Sequence, residues 1–447
     1  MPTAFADLNS DLAARFQTAR TALRPVPSGA ISKVIGLRFD VEGLDLPIGA
    51  TVRLAEPGLE LSGEVVAVGE GSVTCMPFGE VKGLRVGARV EGSDRPSSIF
   101  VGQQLLGRVI DALGRPLDDG PPLVGMHEVE LDGEPPHPLR RARIEHKMSL
   151  GIRAWDTLIP AGRGQRVGIF AGSGVGKSTL LGMIARNTAA DVNVVALIGE
   201  RGREVREFVE SDLGPEGLAR SVLVVATSDA PALVRFRAAF VATRIAEWFR
   251  DQGNDVMLMM DSLTRFCMAQ REIGLSAGEP PTSRGYPPSV FSLLPRLLER
   301  AGAAEVGSIT GLYTVLVDGD DHNEPISDAA RSILDGHVVL SRKLAHANHY
   351  PAIDVLASVS RVTGAVTSND ERNLLYELRR LMAAEAEAKD LIEIGAYVPG
   401  TNPVVDRAVG MRDEIRGFLT QRVDDRWDAQ RSFTRLGEML AATGGRS

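Results

Sequence analysis

Ala171-Gly172-Ser173-Gly174-Val175-Gly176-Lys177-Ser178 is the stretch that decides the fold of this chain. It follows the apolar run Arg166-Val167-Gly168-Ile169-Phe170 and precedes a helical pattern over Lys177–Asn187. Strand, G-x-x-x-x-G-K-[ST] and helix make a phosphate loop, here with Ala171 in place of the first glycine. The glycines let backbone N–H groups close around phosphate oxygens, and the helix turns its positive end to the same anion. The loop together with Thr179 forms the candidate nucleotide-binding segment. Lys177 is placed to reach the β and γ phosphates of ATP, and the Ser178 hydroxyl to ligate Mg²⁺. A ligand-free glycine-rich turn is the plainer alternative, and the strand–loop–helix context speaks against it. A dinucleotide loop would be spaced G-x-G-x-x-G, whereas here Gly-Lys-Ser closes a G-x-G-x-G run.

Working outward, Asp255-Val256-Met257-Leu258-Met259-Met260-Asp261 is an apolar strand ending in a carboxylate, as a metal-facing Walker B element requires. Asp261 is therefore the second candidate metal ligand beside Ser178. Leu197-Ile198-Gly199-Glu200-Arg201-Gly202-Arg203-Glu204 supplies Glu200, which could polarise a water for attack on the γ-phosphate, and Arg201, which could sense that phosphate. A solvated charge cluster opening a helix explains those four charges equally well. Strands are expected over Gln165–Phe170, Asn193–Ile198, Ser221–Ala226, Asp255–Met260 and Ser308–Val317. Helices are expected over Lys177–Asn187, Glu204–Glu210 and Ala230–Arg250. Such alternation predicts an α/β domain over 98–365, with a mainly parallel sheet covered on both faces. A helical domain is expected over 366–447.

Residues 25–97 read differently. Short apolar runs at Val34–Leu37, Thr51–Leu54, Gly63–Val68 and Ser72–Cys75 alternate with glycine and proline turns, predicting a small β-barrel. Its seven Lys and Arg are outnumbered by ten Asp and Glu, and its aromatic residues are Phe39 and Phe78, which argues against a nucleic-acid platform. Ahead of it, Phe5, Leu8, Leu12 and Phe16 form one stripe at helical spacing over 1–24. That helix either packs on its own domain or is offered to a partner.

The whole chain has 447 residues, 44% hydrophobic and 24% charged, with a formal net charge of −8. It is long enough to bury a large core, which excludes a mainly disordered protein. Two cysteines, Cys75 and Cys267, cannot make a disulfide framework or a four-cysteine zinc site. No run is long and apolar enough for a membrane span, and the first residues lack the pattern of a signal peptide. A cytoplasmic protein is expected, able to dock peripherally on a membrane complex. His337, His346 and His349 lack the company of a metal-binding pattern and read as structural or surface residues.

From about residue 25 onward the sequence resembles the rotary-ATPase catalytic family, which includes the F-type ATP synthase α and β subunits and the type III export ATPases. Pro351-Ala352-Ile353-Asp354-Val355-Leu356-Ala357-Ser358-Val359-Ser360 fits its characteristic segment. The resemblance implies a RecA/F1-like phosphate-loop NTPase core between an N-terminal β-barrel and a C-terminal helical domain. Gly199-Glu200-Arg201 matches the catalytic β subunits, implying that Glu200 activates the attacking water. Tyr350 matches the tyrosine that stacks on adenine, and Arg361 matches the arginine finger that α subunits donate to a neighbouring site. With Glu200 and Arg361 in one chain, a single polypeptide serves both roles, which implies a homo-oligomeric ring, with six copies carried over from the family. Asp261-Ser262-Leu263-Thr264-Arg265-Phe266, Glu279–Pro288 and Tyr313–Pro325 look like the export ATPases. Pro77–Leu84 and Gly107–Gly114 look more like the flagellar branch than the virulence branch.

The resemblance further implies partners: a stator-like regulatory subunit at the N-terminal stripe, export gate and stalk proteins, and export chaperones with their cargo. Location at the inner-membrane export apparatus follows. Two readings from other classes compete with an export motor. A ring helicase should carry a basic, aromatic barrel, and this one is neither. A non-catalytic ring subunit should lack Glu200.

Overall fold

The structure is a computed structural model that describes residues 26–54, 61–93, 95–317 and 324–442. The helix expected over 1–24 lies outside these residues, as does 318–323. The chain divides into two compact units, up to Ser97 and from Ser98 onward.

In the first unit, alternating apolar residues build six antiparallel strands: β1 (Ser28–Ile35), β2 (Arg38–Glu42), β3 (Thr51–Leu54), β4 (Ser62–Gly69), β5 (Ser72–Pro77) and β6 (Arg89–Ser93). They close into a barrel in the order β1-β2-β5-β4-β3-β6. Ile31, Phe39, Val41, Val52, Val65, Val73 and Val90 fill it. The run Val34–Leu37, expected as one strand, is instead broken into a hairpin. Gly36 adopts φ 55°, a conformation L side chains rarely take, and Ile35 pairs across the turn with Arg38. Cys75 is sealed in this core; burial, helped by the Asp40 charge, pushes its thiol up to about 12.

The second unit opens with a hairpin-like pair, β7 (Ser98–Val101) and β9 (His127–Glu130). A short pair, β10 (Lys147–Met148) and β11 (Ala161–Gly162), follows. The main sheet runs β19-β18-β12-β17-β15-β13-β14-β8. Its strands are β8 (Arg108–Asp111), β12 (Arg166–Ala171), β13 (Val192–Glu200), β14 (Ser221–Thr227), β15 (Asp255–Asp261), β17 (Ser308–Leu316), β18 (Gly336–Leu340) and β19 (Ile353–Ser360). β16 (Gly302–Ala303) adds to β17. All neighbours along the main order are parallel except β18 and β19. β13, β15 and β17 are almost continuously apolar because helices cover both faces, and a strand buried on both sides has no need to alternate. The helices Lys177–Asn187, Ala232–Asp251 and Leu263–Ala277 are among those covering it. The expected helix at Glu204–Glu210 is an α-turn over Gly202–Glu207 running into a π-helical turn at Phe208–Leu213.

The C-terminal segment is helical, as in Asn369–Glu393, which starts in a capping box between Ser368 and Glu371. These helices pack onto the sheet. Leu375, Leu378, Leu381 and Leu436 join Leu150, Trp155 and Ile353 in one buried cluster.

Candidate active site

Three parallel strands deliver the site at their carboxyl ends, where open α/β sheets take ligands. β12 ends at Ala171 and hands the chain to the phosphate loop. Gly174 and Gly176 stand at φ 76° and 84°. Space does not require glycine at 174, where an added Cβ would meet nothing within 4 Å; the positive φ does. Gly176 caps the helix Lys177–Asn187 in a left-handed conformation with no side-chain cap, so the first-turn N–H groups face the loop. Ser173, Gly174 and Ser178 are exposed there, and Thr179 is half-buried. Uncapped donors, a positive helix end and an adjacent lysine make a built anion seat.

β13 and β15 lie side by side and end in Glu200 and Asp261, with Leu197 opposite Asp261 in register. Both carboxylates converge on Lys177. Its Nζ donates to Asp261 Oδ1 and stands 3.5 Å from Glu200 Oε1. Thr314, on the neighbouring β17, donates its hydroxyl to Asp261 Oδ1 at 2.7 Å. Burial works against the Lys177 charge, but Asp261 and Glu200 outweigh it and hold its pKa above the ordinary lysine value. One cation thus faces two anions. Glu200 takes the consequence: burial first, then the Asp261 charge, push it up to about 7 despite Lys177, and a hydrogen bond with Glu204 adds to the rise. The same hydrogen bond, with help from Arg201, lowers Glu204. Arg201 turns outward and pairs with Glu204 at 2.7 Å.

The ring of Tyr350 covers the phosphate-loop turn: a Cβ on Gly176 would lie 3.3 Å from its Cδ1 and Cε1. Tyr350 is 42% exposed, so one face remains open beside the loop. Arg361 is not brought to this cluster. Ser360 pairs with Gly336 at the start of β18, and the Arg361 N–H bonds to Asp335, whose own N–H bonds to Arg166 at the start of β12. Arg361 therefore sits at the amino ends of the parallel strands. About 16 Å of β12, at ~3.3 Å per residue, separate it from its own phosphate loop. It is exposed, and its Nη2 donates to the Arg331 carbonyl at 3.3 Å.

Among the described residues, no group of three or more His, Cys, Asp or Glu could hold a metal by itself. Ser178 and Asp261 offer one hydroxyl and one carboxylate, a donor set that suits Mg²⁺ arriving with nucleotide phosphates and keeping several waters. Sequence reasoning passed over Glu204, Thr314 and Arg265. The Arg265 stem lies 3.0–3.1 Å from where a Cβ on Gly199 would be, beside Glu200, and its Nε is buried without a hydrogen-bond partner among the described residues. Its position one helical turn beyond Asp261 was the available signal.

Residues 151–360 match the family described as ATP synthase alpha/beta family, nucleotide-binding domain. Residues 31–93 match the beta-barrel domain of the same family, and 367–438 the T3SS EscN ATPase C-terminal domain. The chain is 50% identical over 400 residues to the flagellum-specific ATP synthase of Bacillus subtilis, covering 89% of this chain and 91% of that protein. It is 51% identical over 398 residues to the type 3 secretion system ATPase of Xanthomonas euvesicatoria, covering 89% and 90%. Its fold matches the assembled ATPase EscN in complex with its central stalk EscO from the enteropathogenic E. coli type III secretion system. The TM-score is 0.86 at 46% identity, over 92% of this chain and 100% of that one.

Proposed function

The chain belongs to the ATP synthase alpha/beta family, and on that premise we propose that it is the cytoplasmic ATPase of the flagellar type III export apparatus. It hydrolyses MgATP at sites shared between the subunits of a homohexameric ring and so promotes export of flagellar subunits. One observation carries the reading. Lys177, Glu200 and Asp261 converge at one end of the sheet while Arg361 stands at the other, an arrangement that supports a site completed by Arg361 of a second copy.

Lys177 and the uncapped helix end bind and orient the phosphates, and Tyr350 seats the adenine. Asp261 and Ser178 would hold Mg²⁺, which supplies charge neutralisation on the β and γ phosphates. Lys177 is engaged by two carboxylates in the free site; phosphate oxygens would take over that engagement on binding, leaving Asp261 free to serve as a ligand. Glu200 holds the attacking water and takes its proton at a carboxylate oxygen. Arg201 stands by as a phosphate sensor, and Arg361 of the next subunit meets the charge that develops on the γ-phosphate.

A central stalk in the ring is supported by the EscN–EscO complex. The Phe5/Leu8/Leu12/Phe16 stripe binds a stator-like regulatory subunit, and export gate proteins, chaperones and cargo complete the partners. None is a nucleic acid. No helix among the described residues is long and apolar enough to cross a membrane. Attachment to the inner-membrane apparatus is peripheral. The test is complementation. In a host lacking its flagellar export ATPase, this chain should restore motility and the Lys177→Ala variant should not. Restoration of effector secretion but not motility would make it the virulence counterpart instead. Phe5→Asp with Leu12→Asp should abolish capture of the stator-like subunit, and capture at undiminished strength would remove that partner from the account.

A further inference from the structure

Arg361 hangs on a seat built from three segments. Its backbone N–H donates to the Asp335 carbonyl at 3.0 Å. The Gln165 side chain, fully buried, donates to that same carbonyl at 3.0 Å and to Ser360 Oγ at 3.1 Å. Ser360 Oγ in turn donates to the Pro160 carbonyl at 2.8 Å. Gly336 makes the approach possible, because a Cβ there would fall 2.6 Å from the Val359 carbonyl oxygen.

The Asp335 side chain faces the other way. Its Oδ2 accepts from Arg166 N at 3.1 Å and from Arg166 Nε at 3.0 Å, and its Oδ1 from Arg166 Nη2 at 3.1 Å. The Arg166 guanidinium also pairs with Glu299, which Arg141 meets at 3.1 Å. Arg166 is the first residue of β12, the strand that ends in the phosphate loop. One residue therefore carries the donated arginine on its main chain and grips the root of the nucleotide-binding strand with its carboxylate.

We propose that Asp335 is a positioning residue for the arginine its subunit donates to the next one, fixing Arg361 through the Arg166–Asp335 fork. This rests on the shared-site reading above. The fork is planar and bidentate, so it fixes orientation as well as distance. The Asp335 carbonyl can then hold Arg361 in one place only. A displacement of about 1 Å at a group of this kind costs on the order of 10²-fold in rate.

The test uses assembled rings of full-length chain. Asp335→Asn should lower turnover ten- to a hundredfold while MgATP affinity stays within about twofold, because the defect lies in the neighbour's site. Mixing separates this from loosening of β12. Lys177→Ala mixed with Arg361→Ala is the reference, and its recovery of activity tests the shared site itself. Asp335→Asn should recover when mixed with Lys177→Ala, which lends a good arginine, and should not recover when mixed with Arg361→Ala, which lends none. Recovery with Arg361→Ala, or with neither partner while the reference pair recovers, would overturn the proposal, as would wild-type turnover. If the reference pair fails, the shared site falls and this inference with it. Should Asp335→Asn not melt cooperatively, Arg166→Lys, which keeps the charge but loses the fork, is read in the same two mixtures with the same expected and contrary results.

Discussion

Replacing Glu200 with Gln should kill turnover and at the same time stabilise the nucleotide-free protein. In the free site two carboxylates share one ammonium, and Glu200 is pushed from its ordinary 4.5 up to about 7, by burial first and then by Asp261. A carboxyl whose folded pKa is raised lends stability fully below its unfolded pKa and loses it as pH climbs through the folded value. At ~1.4 kcal/mol per pH unit the shift sets an upper bound, and with the carboxylate partly open to solvent the ionised form costs about 1–2 kcal/mol once pH passes 7. Glu200→Gln removes that cost, keeping the volume and a hydrogen-bonding oxygen. The melting temperature of the variant should thus exceed wild type by about one to three degrees at pH 8.5, with the gap closing towards pH 5. Nucleotide should still bind, while turnover should fall by about 10²–10⁴, the usual worth of a positioned base. In wild type, kcat/KM should rise with pH through about 7, since it reports the free enzyme's essential base. Calorimetric melting across pH, steady-state hydrolysis and equilibrium nucleotide titration read these separately. A variant keeping a tenth of its turnover, or a melting gap that does not widen with pH, would refute the assignment of Glu200.

Lys177→Ala should abolish hydrolysis and weaken MgATP binding. It should also lower the melting temperature, by leaving Asp261 and Glu200 without their cation; titration and melting of one preparation check all three effects. Tyr350→Ala should raise KM by about three- to tenfold with little change in kcat, as loss of one aromatic stack costs roughly 0.5–1.5 kcal/mol, whereas Tyr350→Phe should behave as wild type. Arg361→Ala should leave nucleotide affinity intact and lower turnover by about 10³–10⁵, which single-turnover hydrolysis with saturating nucleotide resolves.

What could be read from sequence was what the chain writes locally. The phosphate loop is eight consecutive residues, and the positive φ of Gly174 and Gly176 demands glycine at those two, so its spacing survives in the sequence. Glu200 and Asp261 were visible because each ends an apolar run, and parallel strands buried on both faces are long and unbroken. The site's remaining groups depend on which strands become neighbours. Thr314 reaches Asp261 only because β17 lies beside β15, and no local pattern orders the strands of a sheet. Glu204 looked like one charge in a solvated cluster until the hydrogen bond to Glu200 appeared. β8 and β18 are four and five residues long, which leaves them little periodicity to detect. In the barrel, the apolar run at Val34–Leu37 hid a turn that rests on the positive φ of Gly36. Arg361 had no chemical signal of its own; resemblance named it, and the antiparallel register of β19 against β18 determines which end of the sheet it occupies.

On the shared-site reading no single copy holds a complete site, and turnover per chain across a dilution series, with mass followed by light scattering, checks it. With Arg361 about 16 Å of strand away from its own phosphate loop, a monomer on the shared-site reading lacks its arginine. Turnover per chain should collapse as the ring dissociates and return on concentration, tracking the assembled fraction. A monomer that hydrolyses MgATP at the full per-chain rate of the ring would contradict the shared site.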